Sequence, residues 1–118
     1  MKILSLGNEF IKEDSLGKKL AEKLIKQGYD IINIRDSFEL IEELNSEEDF
    51  IIIDVVKNLD FPRIIKISEL NNSNILTCHD FDASFIIKLF ENEKKIKIIG
   101  IPMNFDVNDS LEYVKRFF

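Results

Sequence analysis

The amino-acid sequence predicts an α/β fold built on a mostly parallel sheet. Five short runs of β-branched and apolar residues alternate with stretches whose apolar residues recur at helical spacing. This alternation indicates parallel strands with helices on both faces of the sheet. One connection breaks the pattern, because the eight residues between Asp54 and Arg63 are too few for a parallel crossover of about a dozen residues. The fourth strand is therefore expected to run antiparallel.

The five runs are the predicted strands, and two of them carry extra information. The third and fifth are almost continuously apolar, which is typical of strands buried on both faces. Pro62 directly precedes the fourth, and proline before a strand favours an edge position. In chain order the predicted strands are Lys2–Leu6 (KILSL), residues 30–34 (DIINI), 50–56 (FIIIDVV), 63–67 (RIIKI) and 96–101 (IKIIGI).

Four amphipathic stretches are the predicted helices, which gives the element order βαβαββαβα. They are residues 15–27, Ser37–Leu44, 81–90 and 109–118. Gly28 follows the first and is a typical helix stop. The expected buried faces are formed by Leu16, Leu20, Leu24 and Ile25; by Phe38, Ile41 and Leu44; by Phe81, Phe85, Leu89 and Phe90; and by Leu111, Val114 and Phe117.

Length and composition restrict the class of protein. A chain of 118 residues fits a single domain, residues 1–118, that can bury a core without disulfides. Cys78 is the only cysteine, which favours a cytoplasmic location. The net charge of −6, with lysines scattered among glutamates, argues against nucleic acid as a partner. No run approaches the roughly 20 apolar residues that span a bilayer, so no membrane association is expected.

Polar residues that end or follow the apolar runs are the candidates for chemistry, because open α/β sheets bind ligands outside the carboxyl ends of their strands. After the first strand the segment GNEFIKEDSLG carries Glu13 and Asp14. Its single glycine at this point does not make a dinucleotide-binding fingerprint. Helix capping by Asp14 or Ser15 is the simpler interpretation of this segment taken alone.

Asp54 and His79 are the other two candidates. Asp54 follows four apolar residues near the end of a strand, where an acid must be paired, hydrogen-bonded or bound to a cation. A turn or helix-dipole role is the alternative. His79 is the only histidine and is predicted to lie on a loop before the third helix. Its neighbour Cys78 has no second histidine to act as its base, so a small buried residue is the favoured interpretation.

Together, Asp14, Asp54 and His79 form a set of two carboxylates and one imidazole from three loops. These ligands suit a borderline divalent metal such as nickel or zinc, which could polarise a carbonyl group and activate water. They are 40 and 25 residues apart in the chain, so spacing alone is weakly specific.

The order of these segments resembles the hydrogenase maturation proteases. That family begins with an apolar strand, a Gly-Asn pair, a spacer, two acidic residues and a glycine leading into a helix, matched here by Gly7, Asn8, Glu13, Asp14 and Gly17. The segments FIIIDVV, CHDFDASFIIKLF and KIKIIGIPM resemble the family's later strand ending in aspartate, its histidine-plus-helix segment and its last strand.

The resemblance implies a fold, an activity and a site. The fold is a three-layer α/β/α sandwich of the phosphorylase/hydrolase-like type, with strand order 2-1-3-5-4 and strand 4 antiparallel. The activity is removal of a C-terminal peptide from the large-subunit precursor of a nickel-containing hydrogenase after nickel insertion. The residues that contact the nickel of the precursor, and carry catalysis, are Asp14, Asp54 and His79, with Glu13 as a neighbour that tunes charge or caps the helix.

An alternative from another class stays open. The family usually has a glycine where this chain has Ser5, and an Asp-Gly-Gly or Asp-Gly-Thr turn where it has Arg35, Asp36 and Ser37. Glycine permits close approach of a substrate backbone. The alternative is therefore a non-catalytic α/β module that binds a metal or a partner during hydrogenase assembly.

Overall fold

Strands and helices alternate along the part of the chain that the computed structural model describes, residues 2–6, 15–70 and 83–118. Within these residues no helix is both long and apolar enough to cross a bilayer. The elements are β1 (Lys2–Leu6), α1 (Ser15–Lys26), β2 (Ile31–Ile34), α2 (Ser37–Leu44), β3 (Asp49–Val56), β4 (Arg63–Ile65), a short 3₁₀ helix (Ile67–Glu69), α3 (Ala83–Phe90), β5 (Lys95–Pro102) and α4 (Val107–Lys115).

The strands form one five-stranded sheet in the order β2-β1-β3-β5-β4. β1 pairs in parallel with β2 and β3, and β3 pairs in parallel with β5. β4 lies at the edge and runs antiparallel to β5. The mixed sheet, its strand order and the antiparallel fourth strand are therefore confirmed. Pro62 precedes this edge strand, where its missing N–H removes no sheet hydrogen bond from the interior.

Helices cover both faces of the sheet, which completes the three-layer arrangement. On one face α1 and α4 pack with one set of strand residues, including Ile51, Ile53 and Val55. On the other face α2 and α3 pack with the alternating set, including Ile52 and Val56. The two sets alternate along β3 because successive side chains of a strand point to opposite sides. Apolar residues of β3 therefore contribute to the core on both faces.

Local signals fix where the helices begin and end. α1 is followed by Gly28 at φ +94°, whose N–H donates to the Ile25 carbonyl, while the Tyr29 N–H donates to the Leu24 carbonyl. This pair of bonds is the Schellman motif, and it confirms the predicted stop. At the start of α2, the Asp36 carboxylate accepts from the Glu39 N–H at 2.9 Å.

Two predicted elements had bounds that were wrong by two residues or more, whereas most of the others agree to within one residue. The fourth strand ends at Ile65 rather than at residue 67, because the chain turns into the 3₁₀ helix and the Glu69 carboxylate accepts the Lys66 N–H. The last helix begins at Val107 and ends at Lys115 rather than spanning 109–118. It begins early because Asp106 is its N-cap and accepts from the Asp109 N–H at 3.0 Å.

The predicted buried faces were only partly right. On α1 and α4, Leu16, Leu20, Leu24, Leu111 and Val114 are buried as expected. However, several apolar residues assigned to buried faces are exposed, and Phe81 lies outside the described residues. In α2 the buried residues are Leu44, as expected, and Leu40, whereas in α3 they are Ala83, Ile86 and Ile87, which were not assigned to the buried face. The exposed residues are Ile25, Phe38, Ile41, Phe85 and Leu89.

Candidate functional site

The carboxyl edge of the sheet contains the point where strand order reverses. From β1 the chain crosses to β2 on one side, and it later returns to β3 on the other side of β1. A crevice outside the carboxyl ends of the strands is expected at such a point. β1 and β3, the strands that precede or carry two of the three predicted site residues, are parallel neighbours in the sheet.

Asp54 lies at this edge and is 1% exposed. Among the described residues, the buried polar or charged side chains are those of Asp54, Ser5 and Ser110, and only Asp54 is charged. It alternates with Ile53 and Val55, so it shares the α2/α3 face with Ile52 and Val56. A carboxylate taken out of water in this way is costly unless something compensates its charge. Burial of Asp54 agrees with the expectation from the sequence.

Asp54 occupies the centre of a row of paired residues that crosses all five strands. Its direct partners are Leu6, the last residue of β1, and Gly100 of β5. β1 therefore ends opposite Asp54. From the β2 edge to the β4 edge the row is Ile34, Leu6, Asp54, Gly100 and Arg63.

Gly100 is required by packing beside the carboxylate. A Cβ added there would lie 2.4 Å from Cδ1 of Ile65 and 3.0 Å from Cδ1 of Leu59. Any larger residue would therefore collide with side chains that pack in the α2/α3 core. The sequence signal for this position is a single glycine inside an otherwise apolar strand, which indicates a close approach.

The start of α1 is held against the ends of β1 and β3. A Cβ on Gly17 would lie 3.4 Å from Cγ2 of Val55 and 3.5 Å from the Leu6 carbonyl oxygen. The Ser5 hydroxyl donates to the Gly17 carbonyl oxygen at 3.5 Å. Both described ends of the segment 7–14 are thus placed beside β3, at Leu6 on one side and at the first turn of α1 on the other.

Arg63 and Glu69 form a further charged feature at the far end of the row. The Arg63 guanidinium donates to both Glu69 carboxylate oxygens, at 2.7 and 3.2 Å. These bonds from Arg63, together with the Lys66 N–H, lower the pKa of Glu69 to about 2. The pair fixes the chain just before residue 71. Sequence reasoning missed it, because two opposite charges six residues apart carry no signal without the strand register.

The other predicted site residues lie outside the described part of the chain. These are Gly7, Asn8, Glu13, Asp14, Cys78 and His79. Their roles stay predictions, as does helix capping by Asp14. Across residues 2–6, 15–70 and 83–118, no group of three or more histidine, cysteine, aspartate or glutamate side chains is arranged to hold a metal. The described part therefore supplies one candidate ligand, Asp54.

A buried carboxylate near the carboxyl ends of the strands can take part in two kinds of chemistry. It can bind a cation through its oxygens, or it can accept a proton from a water or a substrate group. Both are strengthened where apolar neighbours such as Ile52 and Val56 exclude water. No family model, curated protein or solved structure matches the chain.

Proposed function

We propose that this protein is an endopeptidase that removes the C-terminal extension of a nickel-containing hydrogenase large-subunit precursor after nickel insertion. The single observation that carries the proposal is the position of Asp54, buried at the carboxyl edge and paired with the last residue of β1. The resemblance of the loop segments gives the reaction class. The proposed partner is the precursor, and the proposed location is the cytoplasm.

Two features of the described residues support this proposal. The strand order and the antiparallel β4 agree with the fold that the resemblance implies. In addition, both described neighbours of the segment 7–14 lie at the end of β3, because Leu6 pairs with Asp54 and Gly17 packs against Val55. Asp14 directly precedes α1 in the chain.

In the proposed mechanism, nickel is part of the substrate. Asp14, Asp54 and His79 contact the nickel already held by the precursor, so that only a loaded precursor is positioned for cleavage. The nickel of the precursor would help to position or polarise the scissile amide, and a water molecule adds to the amide carbon. The C–N bond then breaks, which leaves a new carboxylate and a protonated amine. Asp54 contributes a carboxyl group from a buried position on β3, where electrostatic interactions are strong.

Incubation with a nickel-loaded precursor, followed by mass measurement, tests the proposal. We expect the wild-type protein to release the C-terminal peptide and to leave a nickel-free precursor intact. Asp54→Asn keeps the shape of the side chain and removes its charge, so cleavage should fall about 100-fold or more. Asp60→Asn is the matched control, because Asp60 is exposed on the loop after β3. Equal loss in both variants would remove the role of Asp54.

One observation favours a second candidate, the non-catalytic module in hydrogenase assembly. Where the family usually has a glycine turn, Asp36 caps α2 and Arg35 pairs with Glu39 at 2.9 Å. This turn is therefore occupied by contacts that hold α2, and it has no glycine to admit a substrate backbone. The same assay separates the two candidates. A nickel-loaded precursor that is bound but never shortened is the result expected of the module.

A further inference from the structure

The helices α2 and α3 expose large apolar side chains to solvent. Phe38 is 83% exposed, Leu89 61% and Phe85 59%, and Ile41 is also exposed. These four residues form what we call the α2/α3 apolar surface. Isolated exposed apolar residues are ordinary, but a group of them on neighbouring helices marks an interaction site more often than not.

Ile41 and Leu89 lie on the sides of α2 and α3 that are turned toward the neighbouring helix. Ile41 follows the buried Leu40 by one residue, so it lies about 100° around α2 from the sheet. A right-handed crossover from β2 to β3 places α3 on that side, and α2 and α3 are in contact. Leu89 precedes the half-buried Phe90 by one residue, which turns it back toward α2. The other two side chains lie nearly opposite the sheet-facing residues of their helices, so the apolar surface extends from the line where the helices meet over their solvent-exposed sides.

Acidic residues surround this surface. α2 has Glu42 and Glu43 in its last turn and no basic residue there, although the helix dipole favours bases at that end. Glu91 and Glu93 follow α3. Glu39, Glu43 and Glu48 are paired with Arg35, Lys2 and Lys94, so Glu42, Glu91 and Glu93 carry the negative charge of the surroundings. Lys88 of α3 offsets only part of this charge.

We propose that the α2/α3 apolar surface docks another protein through an apolar helix flanked by lysine or arginine. The charge pattern decides between possible occupants. A second copy meeting the same surface would place glutamates against glutamates, and an anionic lipid surface would be repelled by a chain of net charge −6. A basic amphipathic helix is complementary both to the α2/α3 apolar surface and to the acidic residues around it. This docking does not depend on the proposed peptidase activity.

Synthetic amphipathic helices provide the probe. One peptide carries leucine on one face and lysine on the other, and its counterpart carries glutamate in place of lysine. We expect the lysine peptide to bind the full chain in a salt-sensitive manner and the glutamate peptide not to bind. In the double variant Phe38→Ser/Leu89→Ser, which keeps every charge, affinity for the lysine peptide should fall about tenfold or more.

The matched control is Ile25→Ser, which removes another exposed apolar residue, from α1. It should change the affinity less than about twofold. Three results would overturn the proposal. The first is unchanged peptide binding by the double variant. The second is a wild-type dimer, or binding to anionic vesicles, that the double variant abolishes. The third is a clearly lowered melting temperature of the double variant, because the chain itself would then cover the surface.

Discussion

The two faces of the sheet are built differently. On the α1/α4 face, apolar residues of the helices meet apolar residues of the strands, and the buried hydroxyls of Ser5 and Ser110 donate to backbone carbonyl oxygens. The α2/α3 face carries the buried Asp54, Gly100, which has no side chain, and two helices on which Phe38 and Leu89 are exposed. The difference suggests that the first face mainly stabilises the fold, whereas the second gives up stability for recognition.

The strongest test of this comparison is a cavity on the α1/α4 face. Leu20 of α1 is completely buried, so Leu20→Ala should lower the free energy of unfolding by about 3 kcal/mol. Ile25→Ala on the exposed side of the same helix should change it by less than about 0.5 kcal/mol. Urea unfolding followed by circular dichroism measures both. Similar losses in the two variants would show that α1 does not pack against the sheet through Leu20.

The second test adds a methyl group beside Asp54. Gly100→Ala places a Cβ 2.4 Å from the Ile65 side chain, and such overpacking should cost about 1–3 kcal/mol of unfolding free energy. Ile65→Val removes the Cδ1 atom that causes the closest contact. In the double variant Gly100→Ala/Ile65→Val, we expect the loss to be smaller than the sum of the two single losses. Additive losses would mean that the close approach at Gly100 is not what requires glycine.

The third test asks whether Asp54 serves stability. Asp54→Asn removes a buried charge whose desolvation is costly, and this relief offsets the loss of interactions with the carboxylate. We expect the free energy of unfolding to fall by no more than about 1 kcal/mol, even though the proposed cleavage of the precursor falls about 100-fold or more. Thermal and urea unfolding at neutral pH measure this. A loss of about 3 kcal/mol or more would identify Asp54 as a structural ion-pair partner and would contradict the division between the faces.

The smallest expected effect concerns the ion pair at the β4 edge. Glu69 has its pKa lowered from 4.5 to about 2, so its interactions stabilise the fold above about pH 4.5 and are lost as the pH falls toward 2. At neutral pH, Glu69→Gln should cost about 1 kcal/mol or less, because the pair is partly exposed. Unfolding free energies measured from pH 7 to 2 should converge for the two proteins. A constant difference would show that the charge of Glu69 is not involved.

The fold could be predicted from the sequence because its strands are strongly patterned. Runs such as FIIIDVV are too apolar for a surface strand, and the short connection before Arg63 leaves only an antiparallel pairing. The buried sides of α2 and α3 could not be predicted. In each helix, two neighbouring sets of apolar residues fit the helical period. Packing against the sheet decides which set is buried, and in α2 it buries Leu40 rather than Ile41.

The candidate site was predictable only where one residue carries the signal. Asp54 stands out because an acid follows four apolar residues in a strand. Gly100 and the Arg63–Glu69 pair depend on strand register, which joins residues far apart in the chain. No local pattern encodes that register.

The central claim is that Asp14, Asp54 and His79 meet at one metal. His79 is the only histidine, so its ring nitrogens give a single set of signals in ¹⁵N NMR spectra of the whole protein. We predict that Zn²⁺, a diamagnetic substitute for nickel, shifts one of these signals in the wild type. Asp54→Asn should weaken this binding about tenfold or more, whereas Asp60→Asn should leave it unchanged. Unaltered Zn²⁺ binding at His79 in Asp54→Asn would contradict the claim.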